Sequence, residues 1–235
     1  MILGQTINEK NRLYLTLDPY PQNFKQGHMK FKLKKDDLNI HLTKLSKKRT
    51  EIRIALKEVG YPKCRRKPTS FESLAHIVIG QQVSTGAALS ISTKLKKLCG
   101  AKLDAENFLK TSTESLKSAG LSVQKRRYLR ELAEATITDE LPINRLQKLP
   151  DEEVFDKITS IIGLGPWSAQ MFLIFSLGRI DIWPAGDLGV RSGIGKICNF
   201  SNRPSEKEAI LLGELYKPYR SSVALLAWHY INNKP

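Results

Sequence analysis

The stretch Ile158–Gln170 constrains the fold most, because two glycines and a proline interrupt a helical apolar pattern within four residues. Apolar side chains at helical spacing lead into Gly163, which predicts an amphipathic helix ending there. Gly163 and Gly165 supply the backbone freedom that a tight turn needs. Pro166 suits the first turn of a second helix, where its missing N–H costs nothing. The sequence therefore predicts a helical hairpin over residues 154–177.

Helical periodicity with short Gly or Pro interruptions continues through residues 46–235, which predicts a mostly-α domain. Thr69 and Glu72 have the spacing of a capping box and predict a helix N-terminus with Thr69 as the cap. Further helical patterns lie near residues 84–98, 104–110, 113–119, 122–137, 151–162, 166–177, 187–199, 205–216 and 219–232.

Residues 1–45 differ from the rest and are interpreted as a basic N-terminal extension. Leu13–Leu17 alternates apolar and other residues before Pro19 interrupts it, which is typical of a short strand or an extended arm. Lys30–Lys35 alternates basic and apolar side chains and also suits a strand with a cationic face. We therefore expect extended chain or short strands here.

Charge indicates the class of partner. The net charge is +15, and residues 1–68 hold 17 basic and 6 acidic side chains. The linker 62–68 carries four of these basic residues. A basic surface binds polyanions by releasing their counterions, which predicts a nucleic-acid partner, although a lysine-rich surface that only increases solubility is the alternative. No apolar run is long enough for a membrane span and no export signal is evident, so an intracellular protein is expected.

The cysteines and histidines indicate no metal or redox centre. Cys64, Cys99 and Cys198 are widely separated and form no C-x-x-C pair. A zinc or iron–sulfur site built from local cysteine spacing is therefore not expected.

Asp187 is the strongest catalytic candidate. It follows Trp183-Pro184-Ala185-Gly186 at the predicted start of a helix. One interpretation is an N-cap, the commoner role of an aspartate there. The other is a carboxylate in a cleft walled by Trp183 and Trp167, where it can stabilise an oxocarbenium-like sugar. Both roles are compatible, because capping fixes the direction of the carboxylate.

Four motifs follow one another along the chain. They are Ile79-Gly80-Gln81-Gln82-Val83-Ser84, Ile162-Gly163-Leu164-Gly165-Pro166-Trp167-Ser168-Ala169, Trp183-Pro184-Ala185-Gly186-Asp187, and Lys217-Pro218-Tyr219-Arg220-Ser221 with Trp228. In this order and spacing they resemble the helix-hairpin-helix (HhH-GPD) DNA glycosylases, and within them the 3-methyladenine DNA glycosylase II branch. The resemblance covers about residues 46–235 and implies a two-lobed helical fold.

The resemblance implies the chemistry of the site. Asp187 matches the catalytic aspartate of the family. Trp167 stands where relatives with strand-nicking activity carry a Schiff-base lysine, so a covalent imine is not expected. The residues assigned to the base pocket are Trp167, Trp228, Met171 and Trp183. The alternative is that Trp167 and Trp228 are core residues at helical spacing, and it applies to Trp228 especially.

The resemblance also implies the DNA contacts. Gln82 matches the side chain that fills the gap left by a flipped nucleotide. The alternative is that Gln81 and Gln82 satisfy backbone groups at a helix junction. The assigned DNA-binding residues are Gln81, Gln82, Gly163, Leu164, Gly165, Pro166, Arg220 and Ser221. For Arg220 and Ser221, near the cleft, the role is either structural or phosphate-facing. The backbone carbonyls of Thr159, Ile161 and Leu164 match those that hold a Na⁺ or K⁺ ion in the family hairpin.

We therefore predict a monofunctional DNA glycosylase of base excision repair that excises alkylated purines, 3-methyladenine and 7-methylguanine, from double-stranded DNA. Two alternatives remain: a non-catalytic module that binds damaged DNA, and a glycosylase for deaminated bases. No cofactor is required in this interpretation. The protein is expected to be a monomer without membrane association, located on DNA in the cytoplasm of a prokaryote or the nucleus of a eukaryote.

Overall fold

A computed structural model describes residues 33–100 and 102–233, and the regular structure in these ranges is entirely helical. This confirms the prediction of a mostly-α fold. No helix in the described ranges is long and apolar enough to cross a membrane. The helices are α1 (Lys35–Lys48), α2 (Thr50–Val59), α3 (Phe71–Gly80), α4 (Thr85–Leu98), α5 (Ala105–Lys110), α6 (Thr113–Ser118), α7 (Val123–Ile137), α8 (Asp151–Thr159), α9 (Pro166–Phe172), α10 (Leu188–Ile197), α11 (Glu206–Glu214) and α12 (Arg220–Asn233). A 3₁₀ helix, Ile143–Lys148, precedes α8, and a π-helical turn, Leu173–Leu177, directly follows α9.

Side-chain caps explain where most of these helices begin. The capping residues are Ser70, Ser84, Asp104, Ser112, Ser122, Asp187 and Ser205, each accepting a hydrogen bond from a backbone N–H three residues on. The prediction that Thr69 caps α3 is wrong by one residue. Ser70 has the extended backbone that an N-cap needs and accepts from Ser73 N at 3.3 Å. Thr69 instead donates to Ser176 O at 3.4 Å.

Two hydrophobic cores divide the chain into two lobes. The first lobe is continuous, from α3 through the turn after α9, and its core includes Phe108, Leu129 and Phe172, all fully buried. The second lobe combines both sides of the described chain: α1 and α2 pack with α10, α11 and α12 around Tyr216 and Leu226. The first lobe therefore ends with α8, α9 and the π-helical turn after them. The chain then returns to the second lobe, which α1 and α2 began.

The predicted domain boundary between residues 45 and 46 is wrong, because it falls inside α1. Leu38, Leu42 and Leu45 recur at helical spacing and are fully buried in the core of the second lobe. The extended structure expected up to residue 45 therefore does not hold from Lys35 onward. The interpretation of Leu13–Leu17 as a strand lies outside the described residues, as does that of the residues from Lys30 to Lys32.

His41 is a buried histidine that joins α1 to α12. Its side chain is 6% exposed, its Nδ1 lies 3.1 Å from Ser222 Oγ, and its ring stacks on Tyr219 at 4.2 Å. Burial lowers the pKa of His41 to about 4; Asp37 raises it and Lys44 lowers it further, both more weakly. Neutral His41 is therefore the form that the fold accommodates.

We expect the free energy of unfolding to fall as the pH drops from 6.5 towards 4. The unfolded chain binds a proton at His41 in that window and the folded chain does not, so acid favours unfolding. The His41→Phe variant keeps a ring against Tyr219 and removes the titration. Urea unfolding at several pH values should give a shallower decline for the variant than for the wild type, and parallel curves would contradict this account of His41.

Candidate active site

Asp187 caps α10 and carries the only carboxylate that lines the cavity between the lobes within the described ranges. Its Oδ1 accepts a hydrogen bond from the backbone N–H of Val190 at 2.8 Å. The predicted N-cap is therefore confirmed. Because the cap fixes the backbone and one carboxylate oxygen, the side chain has a defined direction into the cavity.

Two tryptophans from different lobes donate hydrogen bonds to the same carboxylate. Trp167 Nε1 in α9 donates to Asp187 Oδ2 at 2.8 Å. Trp228 Nε1 in α12 donates to Asp187 Oδ1 at 2.9 Å. Together with the N–H of Val190, three donors hold the carboxylate, and bonds to an ionised acceptor are the stronger kind. Both rings therefore position the aspartate as well as forming part of the cavity wall.

The cavity has a volume of about 210 Å³, which suits one small flat ligand more than a drug-sized one. Aromatic and apolar side chains make up much of its lining, and the linker 62–68 contributes cationic side chains. Trp167, Met171 and Phe175 follow one another at intervals of four residues, so they occupy one helical stripe. The lining residues are Pro62, Lys63, Arg65, Trp167, Met171, Phe175, Asp187, Leu225, Trp228, His229 and Asn232.

The structure brings four of the predicted site residues together at this cavity: Asp187, Trp167, Trp228 and Met171. Their roles in catalysis and base binding stay predictions. The prediction missed Phe175, although the spacing of four residues after Met171 was a signal that could have found it. Nothing in the sequence pattern indicates that Lys63 reaches the same cavity.

Trp183, which was assigned to the base pocket, does not line this cavity. It is 8% exposed, its Nε1 donates to Ala209 O at 2.7 Å, and it packs in the core of the second lobe. A Cβ at Gly213 would lie 2.4 Å from its ring, so this glycine makes room for the indole. Trp183 therefore supports the segment that leads to Asp187 and borders a separate depression beside Trp167.

The hairpin has the predicted geometry. Gly163 has φ +88°, and a Cβ there would lie 2.1 Å from the ring of Tyr128. Leu164 is 1% exposed and donates from its N–H to Ile161 O at 3.0 Å, which closes the turn. Pro166 occupies the first position of α9.

The carbonyls assigned to a monovalent cation belong to this hairpin. Ile161 O already accepts the hydrogen bond from Leu164 N, and Thr159 ends α8. A monovalent cation takes uncharged oxygen ligands in preference to thiolates or imidazoles. The backbone carbonyls are ligands of this type, so they fit the assignment, which stays a prediction. Within the described ranges, no group of three or more His, Cys, Asp or Glu side chains is arranged to hold a metal ion.

Gln81 and Gln82 follow α3 and have different environments. Gln81 Nε2 donates to Gly163 O at 2.9 Å and to Ser168 Oγ at 3.3 Å, which ties this corner to the hairpin. Gln82 is exposed and has φ +56°, a left-handed conformation that is uncommon for a glutamine. Gln81 therefore has a structural role, and Gln82 presents a free-standing side chain at the same edge.

Arg220 and Ser221 were assigned to DNA binding, and the structure gives both an internal role. Arg220 binds the carboxylate of Asp181 through Nε at 2.9 Å and Nη2 at 3.0 Å, and its Nη1 lies 3.3 Å from Glu214. Ser221 is fully buried, which contradicts a phosphate-facing side chain and supports the structural alternative. Its hydroxyl accepts from Ile182 N at 2.9 Å and lies 3.3 Å from Ile182 O.

We expect Ser221→Ala to lower the free energy of unfolding by about 1–3 kcal/mol, because the backbone N–H of Ile182 loses its partner. The affinity of the variant for duplex DNA should not change. Urea unfolding and fluorescence anisotropy measure the two quantities, and Ser118→Ala, at an exposed hydroxyl, is the control. A variant with normal stability and weakened DNA binding would restore the original assignment.

Comparison with known proteins identifies the family. Residues 75–218 match the family model described as HhH-GPD superfamily base excision DNA repair protein. DNA-3-methyladenine glycosylase 1 of Schizosaccharomyces pombe is 31% identical over 165 residues, covering 69% of this chain and 72% of that protein. The DNA-3-methyladenine glycosylase of Saccharomyces cerevisiae is 36% identical over 171 residues, covering 68% of this chain and 56% of that protein.

A solved structure gives the same answer. The 3-methyladenine DNA glycosylase of Schizosaccharomyces pombe in complex with abasic DNA matches with a TM-score of 0.73 and 29% identity, over 81% of this chain and 94% of that one. The resemblance found in the sequence, and the fold that it implies, are thereby confirmed. Since the family model also matches more than half of its residues, this chain belongs to the HhH-GPD superfamily of base excision DNA repair proteins.

Proposed function

We infer that this chain is a monofunctional DNA glycosylase that removes alkylated purines such as 3-methyladenine and 7-methylguanine from double-stranded DNA. The observation that carries this inference is the Asp187 carboxylate, held in the cavity between the lobes by indole N–H groups from both of them. The names of the two yeast relatives support the same substrate class. A module that only binds DNA has no need for a carboxylate oriented in this way.

The substrate base must leave the duplex before it can enter the cavity. We assign the filling of the gap to Gln82, and its exposure at the corner that Gln81 ties to the hairpin supports this assignment. The hairpin then provides backbone N–H groups for phosphate contacts. The proposed partner is double-stranded DNA, bound by a monomer, and the location on cellular DNA follows from this.

Cleavage separates the C1′–N bond, and its electron pair departs with the base. An alkylated purine already carries positive charge, so it leaves without a strong general acid. The sugar becomes oxocarbenium-like, and the fixed negative charge of Asp187 stabilises it. Water then bonds to C1′ and gives up a proton, which Asp187 accepts. The products are a free base and an abasic site, and this reaction requires no cofactor.

Strand cleavage is not part of the proposed activity. An imine at C1′ requires a primary amine, and Trp167 occupies the position of the family lysine with its N–H bound to Asp187. Lys63 is the one lysine among the described residues that line the cavity, and its side chain is exposed. Borohydride trapping tests whether any amine reacts.

A second substrate class has one observation in its favour. The side chains of Lys63 and Arg65 line the same cavity, and their positive charges oppose a cationic base more than a neutral one. Neutral deaminated bases such as hypoxanthine are the corresponding substrates. Release of hypoxanthine and of 7-methylguanine from otherwise identical duplexes compares the two classes directly.

Asp187→Asn is expected to lower the rate of base release at least about 100-fold, because the fixed negative charge is lost. Asparagine is an equally good N-cap, so the variant should fold. Its carboxamide has one oxygen acceptor, so one indole N–H loses its partner and the thermal midpoint should fall modestly. Single-turnover release of 3-methyladenine and 7-methylguanine measures the rate.

Retained DNA affinity in Asp187→Asn separates a catalytic loss from a folding or binding defect. Equal release by wild type and variant would contradict the role of Asp187. If neither protein releases any alkylated or deaminated base and both bind damaged duplex, the chain is a binding module.

Gly189→Ala is expected to slow base release at least about tenfold without lowering the thermal midpoint. A Cβ at Gly189 would lie 2.8 Å from Trp228 Cδ1, 2.9 Å from Trp228 Nε1 and 3.1 Å from Asp187 Oδ1. The methyl group therefore displaces the indole from the carboxylate, and a displacement near 1 Å at a reacting group costs up to about 100-fold. Alanine favours the helix over glycine by about 1 kcal/mol, which offsets the loss of packing.

Gly86→Ala is the matched control. Gly86 lies in the first turn of α4, and a Cβ there meets nothing within 4 Å. Both substitutions replace a glycine near the start of a helix, so only the position relative to Trp228 differs. Equal rates for the two variants would contradict the steric account.

A further inference from the structure

The turn Leu173–Leu177, hereafter the π turn, connects the two lobes at the cavity. It extends α9 with wider hydrogen-bonding, and Gly178 ends it in the left-handed conformation, φ +71°. Leu173 and Leu177 lie in the core of the first lobe, whereas Phe175 packs against the core of the second. A π-helical segment in a helix frequently marks a functional site.

The carbonyls of Ile174, Phe175 and Ser176 in the π turn accept hydrogen bonds from the linker, and Ser176 O also accepts one from Thr69 at 3.4 Å. Arg66 Nη2 donates to Ser176 O at 2.6 Å, and Arg66 Nη1 donates to Ile174 O at 3.4 Å. Lys67 N donates to Phe175 O at 2.9 Å. Three consecutive carbonyls are thus bound by two adjacent linker residues, which satisfies groups that a helix C-terminus leaves open.

Arginine suits this position because its planar guanidinium presents two donors in a fixed geometry. In the described ranges no carboxylate lies close enough to form an ion pair with Arg66, so its guanidinium forms its hydrogen bonds with carbonyl oxygens. A Cβ at Gly178 would lie 1.9 Å from Arg66 Nη1, so the glycine leaves the space that the guanidinium fills. Its positive charge also lies at the negative end of the helix dipole.

Phe175 transmits this arrangement to the active site. Its ring lies 5.5 Å from the ring of Trp228, with an interplanar angle of 31°. Trp228 in turn donates its Nε1–H to Asp187 at 2.9 Å. The contacts therefore form one chain, from Arg66 through the π turn and the two aromatic rings to the carboxylate.

We propose that Arg66 is a positioning residue for the catalytic carboxylate: by holding the π turn it seats Phe175 against Trp228 and so fixes the indole that orients Asp187. The expected effect of Arg66 on the rate of base release rests on the proposed glycosylase function. The expected effect on the position of the Trp228 indole does not depend on the substrate.

The test is Arg66→Lys in the full chain, with Arg179→Lys as the matched control. Lysine keeps the positive charge and loses the two-pronged contact. Arg179 also donates to backbone carbonyls, through Nη2 to Leu149 O at 2.7 Å and Gln147 O at 3.4 Å, and its Nε pairs with Asp151 at 2.9 Å, but its side chain binds none of the π-turn carbonyls. A merely structural role for Arg66 predicts that the two variants behave alike.

Two readouts are needed, one of them independent of activity. We expect Arg66→Lys to lower the single-turnover rate about tenfold, with DNA affinity within about twofold of wild type. In a ¹⁵N correlation spectrum, the indole N–H signal of Trp228 should shift, and that of Trp183, bound to Ala209 O, should not. Arg179→Lys should leave the rate and the Trp228 signal unchanged. Phe175→Leu should lower the rate as Arg66→Lys does, and the double variant should be no slower than the slower single one.

Each outcome decides the proposal. An unchanged Trp228 signal in Arg66→Lys overturns it, whatever the rate. An equal loss of rate in Arg66→Lys and Arg179→Lys overturns it as well, as does full additivity with Phe175→Leu. If wild type releases no base but the Trp228 signal moves in Arg66→Lys alone, the glycosylase function fails and the positioning role stands.

Discussion

The Asp187 carboxylate is the acceptor on which the two lobes converge. It receives one indole N–H from α9 of the first lobe, one from α12 of the second, and a backbone N–H from its own helix. Hydrogen bonds weaken steeply with distance and angle, so a change in the spacing of the lobes would weaken at least one of the two indole bonds to Asp187. The hairpin positions Trp167, and Gly189 leaves room for Trp228, so both features allow the two indoles to reach Asp187.

Features that depend on neighbours in sequence were predictable. The helices follow apolar periodicity, and the hairpin follows from two glycines and a proline, with Gly163 in the left-handed conformation. The N-cap role of Asp187 needed only the residues beside it. Even the misplaced cap of α3 differs by a single residue, because Thr69 and Ser70 are chemically similar and a distant carbonyl, that of Ser176, binds the hydroxyl of Thr69.

Features set by distant contacts were not predictable. Trp183 and Trp167 are both tryptophans near Asp187 in sequence, yet only Trp167 reaches it, because Gly213 and Ala209 O receive the other indole. Arg220 and Ser221 were assigned to DNA binding, but their partners Asp181 and Ile182 lie 39 positions away, and these contacts hold Arg220 in an ion pair and bury Ser221. The linker gave no sign that Arg66 binds a turn more than a hundred positions later, at Ser176.

The second lobe draws its helices from both sides of the first, and this has a consequence for synthesis from the N-terminus. α1 and α2 are synthesised before α10–α12, the helices they pack against, and the whole first lobe is made in between. The apolar face of α1, with Leu38, Leu42 and Leu45, therefore waits for these partners. Domains form as units during synthesis, so the first lobe can close while the second waits. The carboxylate and its two indoles meet only when α12 docks. In a nascent chain the candidate site is therefore incomplete until α12 has been synthesised.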